Sequence, residues 1–180
     1  QADLVSVSVT GSDALVHALH RLGAADEAWN VALSVMAREA SRGRMVPDLF
    51  ALQSRVIEHT ARILNEPNHG ASPKLPTEHP EEHRVFEQEL AEPPRMWSTH
   101  PPNRDRELNA KRIYVPAELD SRSAFCLFRN PEKLRRDVTA SMLSALEKKL
   151  EKGTEESALA AVDERFGSTL FHERYRGIYL

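Results

Sequence analysis

A single cysteine, Cys126, in 180 residues leaves no internal disulfide to form. A disulfide-stapled secreted fold is therefore excluded, although a periplasmic or membrane-tethered location is not. No apolar run approaches the roughly 20 residues of a membrane span. Basic charge is not in excess: 24 Lys and Arg stand against 27 Asp and Glu, so the chain has no electrostatic footprint for nucleic acid. Glycine is scarce, with 7 residues, and neither a Gly-rich phosphate loop nor a G-x-S-x-G elbow occurs. No segment reads as a signal peptide. The chain opens at Gln1 inside what reads as structured sequence, and is expected to be a piece of a longer protein. What is present, 41% hydrophobic and 28% charged residues, is ordinary globular chemistry in a chain long enough to bury a core.

Apolar residues mostly recur at helical spacing. Ser12 is a plausible N-cap for a helix over 12–22, with Ala14, Leu15, Ala18, Leu19 and Leu22 as its stripe and Gly23 as its end. A second helix is expected over 25–40 with Trp29, Leu33 and Met36 on one side, and a third starts at Pro47. Residues 66–80 hold four prolines and a glycine and read as loop, followed by a short helix in "PEEHRVFEQEL" and another from Asn103 to Arg112. Asn130-Pro131 signals a further helix, whose Leu134, Val138, Met142, Leu146 and Leu150 repeat every four residues until Gly153. A last helix carries Ala158, Leu159, Val162 and Phe166, and a tail places Phe171, Tyr175 and Tyr179 at four-residue spacing. The expected class is all-α, a multi-helix domain with a long Pro-rich loop. One segment argues otherwise: "LVSVSVT" alternates with the period of a strand.

Eight histidines invite a search for a metal site. "HPEEH", His79 to His83, matches the inverted H-x-x-E-H pattern, but Pro80 puts His79 at or outside the helix start. The reading preferred is a solvated acidic helix start, with Glu81 and Glu82 facing the positive end of the dipole. His17 and His20 have no third ligand nearby and are expected to flank the apolar stripe, one half-buried and one solvated. His59, His69 and His172 read as surface positions, and Cys126 as a small buried hydrophobe. "EKKLEK" reads as a solvated helix face.

"QADLVSVSVTGSDALVHALHRL", followed some way on by "WSTHPPNRDREL", resembles the HtpX-like, CAAX-prenyl-protease-like zinc metallopeptidases. That family runs from an H-E-x-x-H helix to a helix with E-x-x-A-D, and later to an S-T-H-P-P turn entering a helix with a D-R pair. Ala2 and Asp3 match the Ala-Asp pair, Ser98 to Pro102 match the turn, and Asp105 and Arg106 match the D-R pair. The resemblance makes the start of "LVSVSVT" helical. It also implies catalytic roles for His100, Arg106 and Asp3: His100 as donor to an oxyanion, Arg106 as orienter of His100 or partner of Asp3, and Asp3 as acceptor for a ligand histidine. H-E-x-x-H is absent from this chain, and the family's zinc-binding glutamate would fall two positions before Gln1. The zinc of the full-length parent is thus expected to have no ligand or cofactor-binding residue here. Arg104 and Glu107 depart from the family, which more often has an acidic and an apolar residue at those places.

The resemblance divides the chain into 1–112, the C-terminal part of a zincin-type metallopeptidase domain, and 113–180, a helical extension of unknown role. It implies a membrane-anchored parent acting on protein or peptide substrates. The competing expectation is a non-catalytic helical interaction module. The amphipathic 131–166 region and the aromatic tail would then serve a partner or a homodimer.

Overall fold

The computed structural model describes residues 2–86, 100–144 and 150–167. The fold is all-α. Among the described residues there are six α-helices, a 3-10 turn at Ala124–Leu127 and two strands of two residues each. The helices are α1 (Ala2–Thr10), α2 (Ser12–Ser41), α3 (Leu49–Leu64), α4 (Asn103–Ala110), α5 (Pro131–Ser144) and α6 (Glu155–Gly167); the strands are β1 (Arg44–Met45) and β2 (Glu151–Lys152). Contacts divide the chain into two discontinuous units, 1–23 with 71–121 and 24–70 with 122–180. These units are defined by contacts, whereas the cut between 112 and 113 marks where the resemblance ends.

In the first unit, "ADLVSVSVT" folds as α1 despite its strand-like alternation. Its hydroxyls serve the helix: Ser8 donates to the Val5 carbonyl and Thr10 to that of Ser6. Val7 alone of this helix is buried, while Val5 and Val9, one turn apart, face outward. Gly11, at φ +86°, ends the helix by bonding the Val7 carbonyl. A Cβ there would also lie 2.5 Å from that of Ala117, so the position tolerates only glycine. Val7, Val16, Leu19, Phe86 and Ala110 form the small core of this unit.

Gly23 does not break the chain into two helices; α2 runs through it for 30 residues. A glycine inside a helix costs about 1 kcal/mol, but it ends one only when the backbone there turns left-handed, and this one does not. The buried face of α2 also differs from the expected stripe. Leu22 is exposed, and Ser12, Asp13 and His17 are buried beside Val16 and Leu19.

The second unit has the larger core, built from Ala28, Ala32, Val35, Leu49, Leu52, Val56, Leu143, Val162 and their neighbours. Helix α3 packs on both α5 and α6. Asp48 rather than Pro47 starts α3, its carboxylate accepting from the Phe50 and Ala51 amides. The Leu49 amide donates to the Thr139 hydroxyl on α5, so that a helix start is satisfied from a neighbouring helix. Asn65, at φ 55°, closes α3, and the Glu66 amide reaches back to Ala61. The helix expected to run to Gly153 stops earlier. Glu151–Lys152 pair in parallel with Arg44–Met45, and the Gly153 amide bonds the Met45 carbonyl. A Cβ at Gly153 would lie 2.3 Å from that carbonyl oxygen, so the glycine is what permits this close pairing.

Two residues read from sequence as unremarkable take other places. His59 is buried, not on the surface: its Nε2 lies 2.6 Å from Asp163 and its ring stacks on Phe166. Cys126 is exposed rather than buried, because Phe125 is the residue of that turn that packs inward, edge-on against Phe50. The aromatic tail, His172, Leu146 and the first half of "EKKLEK" lie outside the described residues.

Leu49→Ala should cost about 2–5 kcal/mol in a denaturant titration, because its side chain is fully buried. Leu127→Ala, at a position 81% exposed, should stay within about 0.5 kcal/mol of the parent chain.

Candidate functional site

The first unit brings the ends of the two matching sequence stretches together. Helices α1 and α4 pack, and Arg106 grips Asp3 with a two-pronged ion pair, Nε to Oδ2 at 3.0 Å and Nη2 to Oδ1 at 2.6 Å. The fork geometry of a guanidinium against a carboxylate fixes direction as well as charge. Both side chains are largely shielded, at 22% and 18% exposure. The Arg106 bond holds the Asp3 carboxyl below its ordinary range, opposed by burial and helped by the charges of Arg106 and His100. Asp3 in turn raises the Arg106 guanidinium further. His100 is exposed and lies close enough to Asp3 for its charge to be felt there. Thus Asp3, Arg106 and His100 share one neighbourhood. Trp97, Ser98 and Thr99 of the turn lie outside the described residues.

Behind that pair lies a polar cluster that sequence reasoning missed. Glu107 and Lys111 stand one turn apart at the inner side and end of α4, and both are buried. The Glu107 carboxylate accepts from the Val85 amide at 2.9 Å and the Phe86 amide at 3.0 Å. Lys111 Nζ donates to the carbonyls of His83 at 2.7 Å and Pro80 at 3.3 Å. Two charges from one helix therefore hold the segment Pro80–Phe86 by its backbone. That is why 80–86 forms a turn rather than the expected short helix: its amides and carbonyls are already committed.

Lys111 Nζ also lies 2.8 Å from Asp13 Oδ1. This is a charge contact rather than an aligned hydrogen bond, since Oδ1 has no hydrogen-bond donor. The other oxygen, Oδ2, accepts from the Tyr114 hydroxyl at 2.5 Å. Burial, then that bond and the Asp13 charge, push the Tyr114 phenol up to about 12. Ser12 does not cap its own helix but donates to the Ala110 carbonyl and accepts from the Val115 amide. Spacing held a partial signal for this cluster. Glu107 and Lys111, like Asp13 and His17, are four apart on a helix, but spacing alone does not tell a buried face from a wet one.

No donor set for zinc is formed by Asp3, His100 and Arg106, because Arg106 takes both Asp3 oxygens. Among the described residues, the one group of donor atoms gathered within 4.8 Å is His79, Glu81 and Glu82, and all three are exposed. His79 sits at φ 48° ahead of a turn, so the helix that would stack it over His83 does not exist. Searches of family models, curated proteins and solved structures found no match to this chain.

Asp3→Asn should remove the acid-sensitive part of this contact. The depressed Asp3 carboxyl adds stability that is full above its ordinary value of about 3.9 and fades as pH falls through the lower folded value. A pH series of denaturation curves should therefore show a smaller loss below about pH 4 in the variant. Lys111→Met should cost about 3–5 kcal/mol by stranding buried Asp13. Adding Asp13→Asn should recover part of that loss, read as a coupling energy in a double-mutant cycle.

Proposed function

We propose that this chain is the C-terminal portion of a membrane-associated zinc metalloendopeptidase, supplying residues around the reacting carbonyl rather than the metal ligands. The observation that carries this reading is the Asp3–Arg106 pair, whose carboxylate also feels the charge of His100. Residues 103 apart in sequence, and named by the resemblance from two separate motifs, meet in one place. His100, exposed on a Pro-flanked entry to α4, is suited to donate to the oxyanion of a peptide undergoing attack. Arg106 fixes Asp3. A carboxylate offers about four acceptor sites, so Asp3 retains capacity for an imidazole N–H beyond the two bonds to Arg106. The metal and its ligands would come from sequence preceding Gln1 in the parent, and the substrate would be a protein or peptide. Among the described residues no helix is long and apolar enough to cross a membrane.

A second reading, a helical interaction or homodimerisation module, is favoured by the apolar tip Leu127 and Phe128, 81% and 51% exposed. Light scattering separates the two: a stable dimer disrupted by Leu127→Asp supports the interaction role.

The sequence upstream of Gln1 in the parent gene tests the first reading. It should carry a glutamate two residues before Gln1 and, further back, an H-E-x-x-H helix; their absence refutes the assignment. In the parent enzyme, His100→Ala should lower kcat by about 10²–10³. Asp3→Ala, Arg106→Ala and the double variant should lose similar amounts, because the pair acts as one unit.

A further inference from the structure

One buried titratable group in the first unit has no role in the contacts described so far. His17 is only 4% exposed, and neither of its ring nitrogens has a hydrogen-bond partner. Orphaned polar atoms at such depth are uncommon and call for an explanation. Around it stand Asp13 and His20 from its own helix, Lys111 at the end of α4, and His83 from the held segment. Two further ionisable groups adjoin these neighbours: Tyr114 is bonded to Asp13, and Glu107 to the backbone of 85–86. Glu81 acts at longer range, on Tyr114.

The charge arithmetic of this cluster is tight. Neutral His17 leaves Asp13 opposite Lys111, while the other buried carboxylate, Glu107, is committed to the Val85 and Phe86 amides. Asp13 and His17 are four residues apart on α2, the spacing at which side chains meet. A proton on His17 makes two cations compete for Asp13. The imidazolium then has an acceptor within reach only if it takes Asp13, and Lys111, losing its counter-charge, is driven toward solvent. Lys111 is also the donor to the Pro80 and His83 carbonyls.

We propose that His17 is an acid-triggered release for the segment Pro80–Phe86: once protonated it takes Asp13 from Lys111, and Lys111 leaves with its bonds to that segment. The inference rests on the buried cluster and is independent of any catalytic assignment. Its direction agrees with the effect of burial, which lowers the His17 value and outweighs the pull of Asp13. The sign follows from linkage. A histidine whose folded value is depressed contributes stability that is complete above its ordinary value of about 6.5 and is lost as pH falls below it. Uptake of one proton on opening predicts a loss of protection of about tenfold per pH unit in that window.

Hydrogen exchange of the whole chain, followed by mass spectrometry and corrected for intrinsic rates, tests this between about pH 7.5 and about pH 5. The amides of 82–86 should lose protection steeply below the midpoint, while those of α3 in the second unit keep theirs. His17→Gln, which keeps a polar side chain but cannot titrate, should flatten the pH response, and His83→Gln and His20→Gln should leave it in place. Unchanged protection in the parent chain, or a full response in His17→Gln, overturns the proposal, as does a response abolished by His83→Gln instead. Should His17→Gln fail to fold, the imidazole proton shifts of the parent chain decide: His17 must titrate in the interval in which 82–86 opens. A ring that stays neutral through that opening overturns the proposal.

Discussion

A buried carboxylate facing a buried ammonium, Asp13 against Lys111, is the contact on which the first unit depends. Neither charge could sit so deep alone, since desolvation would cost several kcal/mol per ion. Each is made tolerable by further bonds, Tyr114 to Asp13 and two backbone carbonyls to Lys111. Among the described residues its apolar core is five buried side chains with three more packed against them. Polar groups also set the register of the chain. Here they do so by holding backbone atoms, which only one register of Pro80–Phe86 can satisfy.

The two units solve the same problem by different means. In the second, a continuous apolar core carries the packing, and its buried acids take arginines both near and far. Glu39 takes Arg42 and Arg44 from the segment just after α2, and Asp48 caps α3 while meeting Arg135 of α5. In the first, Glu107 and Lys111 bind a segment more than twenty residues away in the chain, and Asp3–Arg106 spans a still longer gap. The candidate site therefore rests on electrostatic geometry, and its shape should respond to pH and charge substitution more than to changes in core volume.

Much of the helical class was legible from period and caps. Asn130-Pro131 marks the start of α5, and Leu33 and Met36, expected on one side of their helix with Trp29, pack on the core of the second unit. The helix at α1 was legible only through resemblance, because alternating Val and Ser satisfy a strand template as well, and hydroxyl back-bonding leaves no periodic trace. The errors share a cause. Gly23 was read as an end because glycine often terminates helices, but its effect depends on a backbone angle that composition does not carry. The helix expected at 80–86 failed because Glu107 and Lys111, distant in sequence, claim its backbone. His59 and His17 were placed near the surface or half in, yet both are buried, one satisfied by Asp163 and one unsatisfied. Of the candidate site, the meeting of Asp3 with Arg106 was anticipated as one of two options, whereas the cluster behind it was not.

Both halves of the molecule are built from early and late segments of the chain. Residues 24–70 close on 122 onward, with His59 meeting Asp163 across 104 positions and Arg38 meeting Ala161 across 123. During synthesis at about 5–20 residues per second, α3 must therefore wait several seconds for the helices that cover it, its buried leucines meanwhile open to chaperones and to other nascent chains. A ribosome that stalled after Ser121 would leave the first unit closable and the second without its partner helices.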